Sequence, residues 1–165
     1  MHNELIFRTF LTGMGATLIM DVWTLFQKHV LSLPALNYAL VGRGFLWMWR
    51  GKFIHNTIAE TPPVCGEKTV GWVIHYFTGI FFAFIPAGLS GANWFWQPSI
   101  MVGLLTGILS LVAPLLIMQP SFGFGIAAAK TPHPQRARFL SFLTHLVYGF
   151  GLYITVKVIV AWSSM

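Results

Sequence analysis

Asp21, His75, Gln119 and His145 are four side chains able to do chemistry, and each stands in a stretch that is otherwise apolar. Asp21 is the sole formal charge between Arg8 and Lys28. A carboxylate in hydrocarbon costs about 2.5–3.5 kcal/mol on insertion scales, so it needs a partner or a task. Burial and mutual attraction pull an acid and an imidazole in opposite directions, and groups balanced in this way can titrate near neutral pH, as a proton relay requires. His75 and His145, on separate helices, have the chemistry to ligate haem b iron from two sides, or to bind a divalent metal with Asp21 as a third ligand. No Cys-x2-Cys-His attachment sequence occurs, so any haem would be held without a covalent link.

Spacing ties these residues together. Asp21 lies seven positions before Lys28, His75 seven after Lys68 and His145 seven after Arg138. At the helical rise each is on the order of 10 Å from cations expected at one membrane surface. Positions four apart also share a helical face. They give Gly13-Thr17-Asp21, Gly71-His75-Gly79 and Ser141-His145-Gly149, with Gly103 and Gly107 on a further helix. Small residues on such stripes let membrane helices approach closely. The expectation is a bundle with Asp21, His75 and His145 inward and Gln119 as a fourth member.

The elements that must carry these residues follow from composition. Of 165 residues, 56% are hydrophobic and 8% charged. Ordinary soluble domains have about 25% charged residues, so this chain cannot cover a soluble surface. A spanning helix takes roughly 20 apolar residues. Four fit, at about 8–28, 69–90, 98–119 and 139–162, in a single all-α transmembrane domain covering 1–165. Leu18-Ile19-Met20-Asp21 resembles Leu116-Ile117-Met118-Gln119, and small-x3-His-x3-Gly occurs in the second and fourth spans. These matches suggest two parallel two-helix repeats about an axis along the membrane normal.

Lysines and arginines gather in the loops at about 29–68 and 120–138 and are absent from the 91–98 turn. The positive-inside rule places those two loops in the cytoplasm and both termini in the periplasm. Arg8 and Lys157 are expected to snorkel outward at the opposite ends, with Trp94 and Trp96 in the headgroup layer. The net charge of +6 is then a topology signal and not a nucleic-acid stripe. Attraction of the basic loops to anionic lipid follows from it. The N-terminal region lacks the net positive charge and small-x-small site of a cleaved signal peptide.

The long first loop mixes aromatics and cations in LPALNYALVGRGFLWMWRGKF, as an interfacial helix does, although Gly42 and Gly44 argue against continuity. Glu67 suits the start of the second span. The Gln119-Pro120-Ser121-Phe122-Gly123 stretch is expected to kink or unwind the third. His2, His29, His55 and His133 are expected in solvated or interfacial positions.

LPALNYALVGRG, PPVCGEKTVGWVIHY, APLLIMQPSFGFGIAAAKTPHPQRAR and LTHLVYGFGLY resemble an uncharacterised bacterial inner-membrane family, domain of unknown function 2938. The resemblance runs across nearly the whole chain and implies a small polytopic protein of the bacterial inner membrane. It supplies no activity, cofactor or site. From the residues alone, proton-linked or small-solute transport through the Asp/His cluster leads, in a homo-oligomer because four helices are few for a pathway. Haem or metal binding comes next, and a structural or assembly role with the cluster as interhelical glue is the bland alternative. A lipid-acting enzyme is disfavoured, because no nucleophile motif or phosphate loop is present.

Overall fold

The computed structural model describes residues 2–164, and among them every regular element is helical. The α-helices are α1 (His2–His29), α2 (Tyr38–Met48), α3 (Glu67–Phe82), α4 (Ile85–Ser90), α5 (Ile100–Ser110), α6 (Gln119–Ser121) and α7 (Pro134–Ser163). Short 3-10 turns lie at Ala92–Phe95 and Ile126–Ala128, and a π-helical segment at Ala113–Met118. Four helical stretches are long and apolar enough to cross a membrane: Asn3–His29, Glu67–Ser90, Ile100–Ser121 and Pro134–Ser163.

Helix is the form the solvent demands, since hydrocarbon offers no partner to a backbone N–H or C=O. Side-chain hydroxyls obey the same rule. Thr9, Thr12, Thr17, Thr24 and Thr106 donate to the carbonyls of Leu5, Arg8, Gly13, Met20 and Val102, each 2.7–2.9 Å away. Polarity is distributed opposite to that of a soluble protein. Thr9, Thr12, Thr17, Thr106 and Ser110 are fully buried, while Phe7, Val22, Phe77, Ile117, Phe139 and Val158 are exposed on helix surfaces.

The chain divides into two compact units that do not coincide with its two halves. The first holds the chain up to Ala35, Tyr76–Ser110 and everything from Leu143 onward. Its helices meet through small residues. A Cβ on Gly13 would stand 2.5 Å from Ile80 Cα, and one on Gly79 would collide with the Thr17 hydroxyl. Gly103 and Gly107 of α5 face the carbonyls of Gly149 and His145 on α7, and Gly151 of α7 lies against Ala16 of α1. Ala16, Ala83, Trp94, Phe95, Tyr148, Leu152 and Val156 form the core around these crossings. Trp94 is therefore buried, donating from Nε1 to the Ser99 carbonyl at 3.1 Å, and not in the headgroup layer expected of it. Arg8 also turns inward. Its guanidinium lies 5.0 Å over the Trp96 ring, bonds Glu4 at 3.0 Å and donates to Ser163 Oγ at 3.3 Å. The reason is local: an acid one turn away and an indole give the cation partners without a path to water.

The second unit holds Leu36–His75 and Leu111–Phe142. In it α2 runs unbroken through Gly42 and Gly44, contrary to the expectation from helix propensity. Both glycines occupy close approaches. A Cβ on Gly42 would overlap the Glu67 carbonyl, and one on Gly44 would stand 2.5 Å from the Phe122 ring. Packing supplies what propensity lacks. Asn37 caps the helix, accepting from Ala39 N–H at 3.0 Å.

The third span departs from α-geometry earlier than Gln119. Pro114 cannot donate to a carbonyl in the preceding turn, and the chain widens into the π segment, where Gln119 N–H reaches the Pro114 carbonyl. Beyond α6, Gly123 and Gly125 take positive φ of 85° and 74°, and the turn is held by Lys130 N–H on the Phe124 carbonyl at 2.8 Å. Arg138 Nε ties α7 to that turn through the Ala127 carbonyl at 2.7 Å.

Candidate functional site

Asp21 is 7% exposed, in the first unit. Its Oδ2 accepts a hydrogen bond from the Tyr76 hydroxyl of α3 at 2.9 Å. A second tyrosine on an adjoining helix makes a comparable bond, Tyr148 OH donating to the Gly79 carbonyl at 2.6 Å. His145 is half-buried on α7, where its own carbonyl meets Gly107.

His75 precedes Tyr76 on α3 and is half-buried in the second unit. Its Nε2 is 3.1 Å from the hydroxyl of Tyr38, the first residue of α2, and the two ring centroids are 4.3 Å apart. Trp72 lies against Tyr38 at 4.4 Å, tilted by 48°, and its ring is 5.9 Å from that of His75, so the three rings form one cluster. The Tyr38 ring can come this close because Gly71 lies directly under the Tyr38 carbonyl. Ligation of haem iron or a metal through His75 Nε2 would have to break the contact with Tyr38. Among the described residues no group of three or more His, Cys, Asp or Glu side chains is arranged to hold a metal ion.

Gln119 is 8% exposed at the end of the π segment, and its Oε1 is buried without a hydrogen-bond partner. Ser141, on the sequence-derived stripe with His145, is half-buried on α7.

Sequence reasoning missed a denser constellation in the first loop. Arg43 is buried, and its guanidinium grips Glu67 at both ends, Nε to Oε2 at 2.8 Å and Nη2 to Oε1 at 2.9 Å. Nη1 faces the carbonyls of Ile58, Ala59 and Thr61 at 3.3, 3.2 and 2.9 Å. Glu67 Oε2 also accepts from Val64 N–H at 3.0 Å. Hydrogen bonding to Glu67 pushes the Arg43 guanidinium above its already high ordinary value, against the opposing effect of burial. One guanidinium thus staples the chain from Ile58 to Glu67 onto α2. In sequence Arg43 looks like an ordinary loop charge and Glu67 like an acid at a helix start, and only the apolar run around Arg43 could have hinted at its burial.

His55 corrects a second expectation. It is 3% exposed, not solvated. Its N–H donates to the Ser121 carbonyl at 2.8 Å, and its Nδ1 is 2.9 Å from Thr61 Oγ1. That hydroxyl also lies 3.2 Å from the Thr57 carbonyl, and His55 Nε2 is buried without a hydrogen-bond partner. Burial, reinforced by the positive charge of Lys52, pulls this imidazole below its ordinary value. His29 and His133 are exposed.

Four long apolar helices with hydroxyl-lined interiors define a multi-pass α-helical membrane protein. Over residues 10–159 the chain matches the family described as "Protein of unknown function (DUF2938)", and it belongs to that family. No curated protein and no solved structure matches it.

Proposed function

We propose that the protein moves protons, alone or coupled to a small solute, across the bacterial inner membrane, with Asp21 as the titrating group. His75, His145 and Gln119 are the further polar members of the route. The observation that carries this reading is a buried carboxyl on a spanning helix hydrogen-bonded to a neutral phenol. A phenol hydroxyl can donate to a carboxylate and accept from a carboxylic acid, so the Asp21–Tyr76 contact tolerates both protonation states. His75 beside Tyr38 adds an imidazole–phenol contact at the neighbouring position of α3. The basic loops support an orientation with 29–68 and 120–138 in the cytoplasm and both termini in the periplasm. Assembly as a homo-oligomer would widen a pathway for which one chain has few helices.

In proteoliposomes, Asp21→Asn is expected to abolish flux driven by a pH gradient, while Tyr76→Phe reduces it. Unchanged flux in the aspartate variant would sink the proposal. A reporter fused at Gly91 should be active only outside the cytoplasm.

Interhelical adhesion is the second reading, favoured by Tyr148, which spends its hydroxyl on a backbone carbonyl where no titration occurs. It predicts that Asp21→Asn, whose amide oxygen still accepts from Tyr76, leaves function intact.

A further inference from the structure

The end of α2 and the turn after it use neither the Arg43 staple nor Asp21. Gly51, at φ +80°, reverses the chain there, and the N–H groups of Arg50 and Lys52 both return to the Trp47 carbonyl at 3.0 Å. The Trp47 ring is fixed in turn, with Nε1 donating to the Pro62 carbonyl at 3.1 Å. Arg50 Cζ lies 5.0 Å from the centroid of that ring and Lys52 Nζ 5.6 Å. Two cations are thus held against one indole, and neither takes part in the ion pairs Arg8–Glu4 or Arg43–Glu67. Like charges gathered around one ring repel, and an anion bound beside them offsets that repulsion. Beside them, Trp49 is 80% and Ile54 75% exposed, with Phe53 also outside.

We infer that Arg50, Lys52 and the Trp47 ring form a binding site for the phosphate of an anionic phospholipid, with Trp49, Phe53 and Ile54 entering the adjoining apolar layer. Charge complementarity selects a phosphate, since both side chains are donors only. The exposed apolar side chains select a lipid over a free ion, which would gain nothing from them. A protein with four helices able to cross a bilayer meets such headgroups at every helix end. Two cations brought to one ring by a hydrogen-bonded turn distinguish this place from the other basic residues. The inference does not depend on the proton-transport reading.

Native mass spectrometry of the full-length protein in neutral detergent, titrated with phosphatidylglycerol or phosphatidylcholine, tests it. The wild type should retain phosphatidylglycerol preferentially, and Arg50→Gln with Lys52→Gln should weaken that retention roughly 20- to 30-fold, at about fivefold per cation. Trp49→Ala should weaken both lipids, and inorganic phosphate should fail to displace the bound one. Lys130→Gln with Arg136→Gln, in the other basic loop, should change retention little. Undiminished phosphatidylglycerol binding in the Arg50/Lys52 variant would overturn the site. So would an equal loss in the Lys130/Arg136 variant, which would mean diffuse attraction, or displacement by inorganic phosphate, which would mean a simple anion site.

Discussion

The two units hold a carboxylate in different company, Asp21 buried and Glu67 half-buried. Glu67 is met by a guanidinium that stays charged at any physiological pH and by a backbone N–H, whereas Asp21 accepts from a neutral phenol. The first pairing is rigid and committed: every oxygen of the acid and every nitrogen of the base faces a partner, and neither group can change charge cheaply. The second survives a change of charge, because the phenol can reverse its role. The proposed division is that Glu67 serves structure and Asp21 serves transport.

Breaking the Glu67 arrangement should have the largest effect. Arg43→Ala leaves Glu67 and three carbonyls without their donor, and is expected to cost about 3–5 kcal/mol, measured by thermal unfolding in detergent. A loss below about 1 kcal/mol would place Arg43 with ordinary surface charges and erase the contrast. Gly42→Ala should cost about 1–3 kcal/mol by forcing α2 off the Glu67 carbonyl, while Gly88→Ala in the first unit, where a Cβ meets nothing, should be neutral or stabilising.

The Asp21 side predicts the reverse balance between stability and function. Tyr76→Phe should cost about 0.6 kcal/mol, the average of membrane interhelical hydrogen bonds, and Asp21→Asn less than about 1 kcal/mol. If Asp21→Asn instead unfolded the protein as Arg43→Ala does, the two acids would be of one kind.

His55 gives the smallest and most specific effect. Its imidazole is pulled down in the folded protein, so as pH falls below about 6.5 the unfolded chain takes up the proton first. Stability of the second unit is therefore full above that pH and declines below it, toward the depressed folded value. Protection from hydrogen exchange at residues 52–61, corrected for the intrinsic pH dependence of exchange, should fall over this range in the wild type and not in His55→Asn. Protection flat with pH would remove the buried-neutral assignment.

Much of this could be read in advance. The long apolar runs, with their charges bunched at the ends, place four helices because a bilayer gives an unpaired backbone no alternative. Gly103 and Gly107 fall four apart on one helical face, Gly13, Gly79 and Gly149 stand four or eight positions from Asp21, His75 and His145, and in the first unit each lies at a close helix approach. Asp21 stood out because a charge in hydrocarbon is costly whatever surrounds it. Arg43 and His55 did not, because a charge or imidazole in a loop is cheap if the loop is solvated, and solvation is not written in local sequence. Trp94 was misread for a related reason: an indole suits a headgroup layer and a core equally well.

The amino-acid sequence alone determined the solvent, the helices and the suspicious acid, since these follow from transfer free energies and helical period, which are local properties. Tertiary structure decided which polar groups meet. It took Arg43 across 24 residues of chain to Glu67 and Tyr76 across 55 to Asp21, and it drew His55 under the 119–123 turn. Those partnerships depend on how helices cross and where loops fold back, which no periodicity encodes, and they set whether a buried charge holds the protein together or is free to change.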